Sequence, residues 1–268
     1  MPELPEVETV VRGLRAPLVG RTIIGAWLDW PRGLISPTPA EFQASLPGQT
    51  IHALRRRGKY ILCDLDDAAL IIHLKMTGRL YVAPDEAAFE ADRWVHFKFQ
   101  LDNAHQWRFS DARKLGTVHL TPDPERVIGK LGPEPLDDTF TLAAFRQRLA
   151  GRRGLIKPLL LNQTFIAGIG NIYADEALHR AGVHPGRAAD SLSENEQARL
   201  YAGIRAALTT GLQLEGASVN WYRKPDGGRG RSQDRFRVYG RADLPCPVCG
   251  TPVQKTTIGG RGTHYCPT

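Results

Sequence analysis

Six residues at the start of the chain, Met1-Pro2-Glu3-Leu4-Pro5-Glu6, combine types that can do covalent chemistry. An initiator methionine before a small residue is normally removed, which leaves Pro2 as a terminal secondary amine. An α-amino group titrates at roughly 7.7–8.0, so a useful fraction is unprotonated near neutral pH. Such an amine can attack an electrophilic carbon, a sugar C1′ in particular, and collapse to an iminium. Glu3 beside it and Glu6 one helical turn further on can move protons for that attack. The same residues also suit an ordinary helix start, where proline fits the first turn and carboxylates meet the dipole. On these six residues alone both readings stand.

A second cluster lies at the other end. Cys246 and Cys249 form a Cys-x2-Cys knuckle, and Cys266 follows after sixteen residues. Paired knuckles of this kind supply thiolates to a tetrahedral, structural Zn²⁺. The fourth ligand would fall at position 269, one past the printed sequence, with His264 as the fallback. Cys63 sits alone in an apolar run and reads as a core thiol.

Between these ends, three loops join charge to shape. Arg55-Arg56-Arg57-Gly58-Lys59 places four cations at a strand junction, either a solvated face or a close backbone approach. Lys75-Met76-Thr77-Gly78 and Asp111-Ala112-Arg113-Lys114-Leu115-Gly116 set a long apolar side chain beside cations. That composition suits a wedge in a base stack, or Met76 and Leu115 are core residues. Gly168-Ile169-Gly170-Asn171 opens a helix with bare backbone N–H groups, suited to a phosphate or to a tight helix–helix turn. Residues 223–241 hold seven cations and two acids near Trp221 and Tyr222, the pattern of a nucleic-acid contact, a mobile lid or a disordered linker.

Periodicity supplies the elements that position these groups. Leu4, Val7, Val10, Val11 and Leu14 predict an amphipathic helix over 3–15. Short β-rich runs follow at 22–30, 50–54, 60–65, 70–74, 80–82, 95–101, 106–109 and 117–120. Many short strands without helices between them imply an antiparallel sandwich or barrel. Prolines 122, 124, 133 and 135 mark a linker, beyond which helices are predicted at 141–150, 156–163, 171–181 and 194–214. Ser193 and Glu196 are placed as a capping box for the last. The fold class is therefore α+β and multidomain.

The net charge of +7 favours an anionic partner. Nucleic acid outranks a membrane surface, because no amphipathic basic helix or long apolar run occurs. With no signal-peptide pattern, a cytoplasmic location is expected.

Taken in order, the motifs resemble the bacterial formamidopyrimidine-DNA glycosylase family along the whole chain. They are Pro2-Glu-Leu-Pro-Glu-Val-Glu-Thr9, Arg57-Gly-Lys-Tyr60, His73-Leu-Lys-Met-Thr-Gly78, Asp111-Ala-Arg-Lys-Leu-Gly116 and Leu131-Gly-Pro-Glu-Pro-Leu136. Ile156-Lys-Pro158, Gly168-Ile-Gly-Asn-Ile-Tyr-Ala-Asp-Glu176, Val238-Tyr-Gly-Arg241 and the finger cysteines complete the set. The resemblance implies an N-terminal antiparallel β-sandwich with its N-terminal helix over 2–121 and a linker over 122–138. A helix–two-turn–helix domain over 139–235 would follow, with a mobile lesion-covering loop at 216–235, then a zinc-finger β-hairpin over 236–268. Double-stranded DNA carrying oxidised bases or abasic sites would lie in the cleft between domains. A monomer, associated with the nucleoid through its DNA, is expected.

It further implies Pro2 as the Schiff-base nucleophile, Glu3 as proton donor and acceptor, and Glu6 in support. Lys59 would serve β-elimination and Arg261 δ-elimination. Met76, Arg113 and Leu115 would fill the gap left by an extruded base. Trp94, Arg152, Lys157, Asn171 and Ser218 would contact DNA, and one structural zinc ion would be bound. Three positions depart from the family's usual residues: Leu115 for phenylalanine, Trp94 for histidine and Arg152 for lysine. Two rival readings are an oxidised-pyrimidine glycosylase of the endonuclease VIII type and a catalytically silent, zinc-bearing DNA-binding protein.

Overall fold

The computed structural model describes residues 1–84 and 92–268. Their contacts divide into two units. The first comprises Met1–Pro2, Glu6–Lys130 and Glu215–Gly230; the second comprises Glu3–Pro5, Leu131–Leu214 and Arg231–Thr268.

In the first unit, α1 (Leu4–Leu18, whose first two residues belong to the second unit) buries Val7, Val10, Val11, Leu14 and Leu18. It runs past the predicted end and past Pro17. The N–H of Val19 reaches the Arg15 carbonyl at 2.9 Å, and Leu18 is fixed in the core, so the last turn holds.

Among the described residues, nine strands build two sheets. The strands are β1 (Ile23–Leu28), β2 (Leu34–Ser36), β3 (Ala53–Arg57), β4 (Tyr60–Asp64), β5 (Ala69–His73), β6 (Gly78–Pro84), β7 (Val95–Leu101), β8 (His105–Asp111) and β9 (Thr117–Thr121). The four-stranded sheet has order β1-β7-β8-β6 and the five-stranded sheet β2-β9-β5-β4-β3. One core joins Phe97, Phe99, Trp107 and Phe109 of the first to Ile61, Cys63, Leu70, Ile72 and Val118 of the second. All strand pairs within these two sheets are antiparallel except β2 with β9.

Sequence reading missed β2 and the short α2 (Pro39–Ser45). Yet Thr38 and Glu41 form a complete capping box there, a local device worth about 1 kcal/mol. The arginines placed at a strand junction instead lie within β3, and only Gly58 (φ +57°) and Lys59 make the turn to β4.

Residues 215–230 are packed on this unit rather than on the helices, and Tyr222 explains why. Its ring is buried in the sandwich core, and its hydroxyl donates to the Glu215 carbonyl at 3.1 Å. Ser218 closes the segment's neck. Its Oγ donates to the Tyr222 carbonyl (3.0 Å) and accepts from the Gly230 N–H (2.9 Å).

The second unit is helical, apart from one hairpin. After the short α3 (Glu125–Ile128) of the first unit come α4 (Leu142–Leu149), α5 (Ile156–Leu161), α6 (Asn171–Ala181) and α7 (Glu194–Gln213). Each of the four begins and ends within two residues of its predicted bounds. The Ser193–Glu196 capping box opens α7 as the sequence implied. Gly203 lets α7 lie against α6, because a Cβ there would sit 2.7 Å from the Ala177 carbonyl oxygen. The hairpin β10 (Gln254–Ile258) and β11 (Arg261–Tyr265) closes the chain. No described helix is long and apolar enough to cross a membrane.

Candidate active site

Pro2 is buried ahead of α1. Glu3, only 2% exposed, turns its carboxylate onto the first turn of α6. Oε2 accepts the N–H of Gly170 (2.6 Å) and of Tyr173 (3.3 Å), and Oε1 accepts that of Ile172 (2.9 Å). The helix N-terminus that the sequence offered to a phosphate is thus occupied by a carboxylate from residue 3. The bare N–H groups of that helix end are the donors a side-chain cap supplies with acceptors. The glycines are steric necessities for this arrangement: a Cβ on Gly170 would lie 2.4 Å from Glu3 Cδ, and one on Gly168 would strike Leu4.

Glu6 is equally buried but does different work. Its Oε1 accepts the Ala217 N–H at 2.7 Å, and a Cβ on Gly216 would lie 2.8 Å from its Cγ. It therefore anchors the start of the 216–230 segment.

Lys59 is 4% exposed beside His73, which sequence reading passed over. Burial first, then the charges of Lys75 and Lys59, hold the His73 imidazole down to about 3. It is neutral at physiological pH, and its Nδ1 accepts the Lys75 N–H at 2.9 Å.

The two expected wedge loops do come together, and Met76 and Leu115 are exposed rather than core. Arg113 Nη1 lies 3.4 Å from Met76 Sδ. Asp111, fully buried and also missed, organises both loops. Its Oδ2 accepts from the N–H of Leu115 (2.8 Å) and Gly116 (2.7 Å), and its Oδ1 from Arg113 N–H and the Thr77 hydroxyl. Lys75 and Lys114 both take positive φ, at 49° and 51°, a strained state that such a clasp maintains. Trp94 stands edge-on to Trp221, with ring centroids 6.1 Å apart.

In the second unit Lys157 is fully buried rather than lining an open surface. Its Nζ donates to Asp175 Oδ1 (2.7 Å), Thr263 Oγ1 (2.7 Å) and the Gly262 carbonyl (2.9 Å). Asp175 Oδ2 accepts the His264 N–H at 2.9 Å, and Asn171 Nδ2 also donates to Gly262 O. These bonds strap the hairpin that carries exposed Arg261 to α5 and α6. Arg152 is exposed in the turn after α4. Glu176, a further residue not anticipated, gathers the N–H groups of Arg237, Val238 and Tyr239 at about 3.0 Å and fixes the approach to the finger.

The sulfurs of Cys246, Cys249 and Cys266 lie within 4.8 Å of one another. Ligands at about 2.3 Å on a tetrahedral ion are separated by similar distances, so the donor set fits Zn²⁺. The Cys249 thiol is drawn down to about 6, chiefly by hydrogen bonding with the Thr251 side chain, which favours the metal-binding thiolate. His264 is outside this cluster among the described residues; its ring faces Tyr239 and its Nδ1 lies 3.6 Å from Asp175. The ion would tie the 246–249 knuckle to the end of β11, a structural task. Cys249→Ser is expected to lower bound zinc from about one ion per chain to well under half, read by elemental analysis of purified protein.

Three family profiles match in succession. They are the formamidopyrimidine-DNA glycosylase N-terminal domain over residues 1–118, its H2TH domain over 131–223, and the zinc finger found in FPG and IleRS over 243–268. The formamidopyrimidine-DNA glycosylase of Symbiobacterium thermophilum is 45% identical over 271 residues, covering all of this chain and 88% of that protein.

The chain belongs to the formamidopyrimidine-DNA glycosylase family.

The Enterococcus faecalis glycosylase is 44% identical over 273 residues, with 100% and 96% covered. Among solved structures, a Lactococcus lactis FPG mutant in complex with Fapy-dG-containing DNA superposes with a TM-score of 0.92 at 36% identity, covering 99% of this chain and 98% of that one. The Thermus thermophilus MutM (FPG) protein gives 0.89 at 38%, covering 99% and 97%. The architecture expected from the resemblance, sandwich, helices and finger hairpin, is the family's own.

Proposed function

We propose that this chain is a DNA glycosylase of base excision repair that removes oxidised purines and then cleaves the strand at the resulting abasic site. The observation that carries the reading is the buried Glu3 carboxylate on the α6 N-terminus, adjacent in the chain to buried Pro2. The relatives' shared name supports the base-removing step. Lactococcus Fpg complexes with Fapy-dG DNA and with abasic-site DNA support the nucleic-acid substrate.

The reaction requires that Met1 be cleaved, so that Pro2 carries a lone pair. That pair bonds to C1′ of the damaged nucleoside, and the C1′–base bond breaks, its electrons leaving with the base as the base gains a proton. Glu3 takes up the proton shed by the Pro2 nitrogen and delivers it to O4′ as the C1′–O4′ bond breaks, the sugar ring opens and C1′=N⁺ forms. The iminium then acidifies the C2′ proton. Loss of that proton expels the 3′ phosphate (β-elimination), and a second elimination expels the 5′ phosphate.

Lys59, next to neutral His73, is proposed to assist the first elimination and Arg261 the second, with Glu6 holding the 216–217 backbone. Met76, Arg113 and Leu115 are proposed as the wedge, supplying part of the few kcal/mol that unstacking a base costs. Trp94, Arg152 and Asn171 are proposed DNA contacts; buried Lys157 would act through the hairpin it straps, and buried Ser218 through the neck of the segment it closes rather than by direct contact.

Borohydride treatment on 8-oxoguanine duplex tests the reading. A covalent protein–DNA adduct is expected, mapping to residue 2 and lost in protein that retains Met1, where the Pro2 nitrogen is an amide. No adduct from protein with a free Pro2 terminus would leave only a DNA-binding protein. Lactococcus Fpg has also been solved with oxidised-pyrimidine DNA, so excision of thymine glycol against 8-oxoguanine decides the preferred lesion.

A further inference from the structure

His179, in the last turn of α6, has no part in the chemistry above, yet its Nε2 lies 3.3 Å from Cys246 Sγ. Helix and knuckle are each held firmly at this point. Gly182, left-handed at φ +63°, ends α6: its N–H reaches the His179 carbonyl (3.1 Å), and the Val183 N–H reaches that of Leu178 (3.0 Å). On the finger side, the Cys246 N–H donates to Thr251 O (2.8 Å) and the Gly250 N–H to Cys246 O (3.0 Å), which closes the knuckle. Cys246 is 4% exposed and packs with Val238 and Val253, whereas Cys249 is exposed.

That burial sets a requirement. Three thiolates on a divalent ion leave net negative charge, and a buried thiolate needs N–H donors in place of the water it has lost. The Val248 N–H supplies one from within the finger, at 3.5 Å from Cys246 Sγ. His179 offers another from outside it.

The imidazole is placed to support a ligand rather than to be one. The three cysteine sulfurs lie within 4.8 Å of one another, and His179 is outside that cluster among the described residues. Its second nitrogen decides the tautomer. Nδ1 is buried with no hydrogen-bond partner among the described residues. A proton on Nδ1 would strand a buried donor and turn a lone pair toward the thiolate. A proton on Nε2 gives the sulfur its donor and leaves only a lone pair unused, the less costly arrangement.

We propose that His179 is a positioning residue of the zinc site: its Nε2–H donates to the Cys246 thiolate, orients that sulfur for the ion and fastens the knuckle to α6. The first turn of the same helix holds the Glu3 carboxylate, so one element carries both the brace of the metal site and the Glu3 cap. The proposal stands on the zinc site and does not depend on the glycosylase reading. Groups that hydrogen-bond a metal ligand typically change affinity by about 10- to 100-fold when removed.

Full-length, zinc-loaded protein is titrated with a chromogenic zinc chelator, and affinity is read from the metal transferred. His179→Phe and His179→Leu fill the place without a donor, and both are expected to bind zinc about 10- to 100-fold more weakly. His179→Gln, whose side-chain N–H can stand where Nε2–H does, is expected to stay within about threefold of wild type. Cobalt(II) loaded in place of zinc adds a spectroscopic signature. A sulfur that loses an N–H donor is more electron-rich, so the thiolate-to-cobalt charge-transfer band should move to longer wavelength in the Phe and Leu variants and return in the Gln variant.

Unchanged zinc affinity in the Phe and Leu variants would overturn the assignment. Equal weakening in all three variants with the cobalt band unmoved would overturn it too, since lost packing alone gives that result. Neither readout uses DNA, so a failure here leaves the glycosylase reading standing, and a missing borohydride adduct leaves the His179 assignment standing.

Discussion

Glu3→Gln is expected to lower the rate of base excision by at least about 100-fold, the lower end of what a positioned acid–base group contributes. The geometry makes the loss larger than a missing proton donor alone. Both carboxylate oxygens accept backbone N–H groups at the start of α6, three bonds in all. A glutamine keeps one acceptor oxygen and turns an NH2 group toward donors that it cannot satisfy. Leaving a buried donor unpaired costs about 1–3 kcal/mol, and the interaction with the helix dipole is also lost. Stability and rate therefore fall together, and two measurements separate them. Thermal unfolding reports the lost caps, a decrease of several degrees. Single-turnover excision at a temperature well below that transition reports the lost proton transfer. An excision rate within about fivefold of wild type, in protein shown to be folded, would remove Glu3 from the chemistry and leave it as a helix cap.

What sequence could and could not disclose follows from the range of the interactions. The helices of the second unit and most strands were legible because apolar periodicity and local caps such as Ser193–Glu196 are written within a few residues. The motif residues were legible as types, but not their partners. Nothing near Gly170 says that its N–H meets a carboxylate from residue 3. Asp111 is an intermediate case: an Asp heading a glycine-ended loop is a local signal for backbone capping, but the N–H groups it takes are fixed only by the folded loop. Lys157 is a long-range case. The resemblance implies it as a DNA contact, and nothing local to it shows Asp175, eighteen positions on, lying against it. The stretch after residue 215, rich in glycine and charge, leaves contact, lid and linker all open in the sequence alone; that one of its aromatics, Tyr222, lies in the core is written nowhere locally.

The Lys157–Asp175 pair carries the largest stability prediction. Lys157→Met leaves Asp175 fully buried without its cation, and breaking such a pair from one side costs about 3–5 kcal/mol. At about 2–4 °C per kcal/mol for a chain near this size, the transition should fall by roughly 10 °C. The double variant Lys157→Met/Asp175→Leu removes both charges and should recover at least half of that loss, because no ion is then left stranded.

Acidity gives a second signature. In the intact pair, burial already pushes the Asp175 carboxyl up to about 6 and Lys157 down, each against the attraction of the other. Without the lysine, Asp175 rises further and holds a proton in the folded state. A carboxyl raised above its unfolded value of 3.8 stabilises the fold fully below that value, and its contribution is lost as pH climbs through the folded one. The deficit of Lys157→Met relative to wild type should therefore be smaller at pH 6 than at pH 8. A deficit independent of pH would mean that the methionine's packing, not the stranded carboxylate, sets the cost. The same substitution frees Thr263 Oγ1 from Nζ while Thr263 still donates to the Arg261 carbonyl, so the hairpin loosens just where Arg261 is carried. Strand scission should then stop increasingly at the β-elimination product at temperatures where the variant remains folded, with borohydride trapping retained.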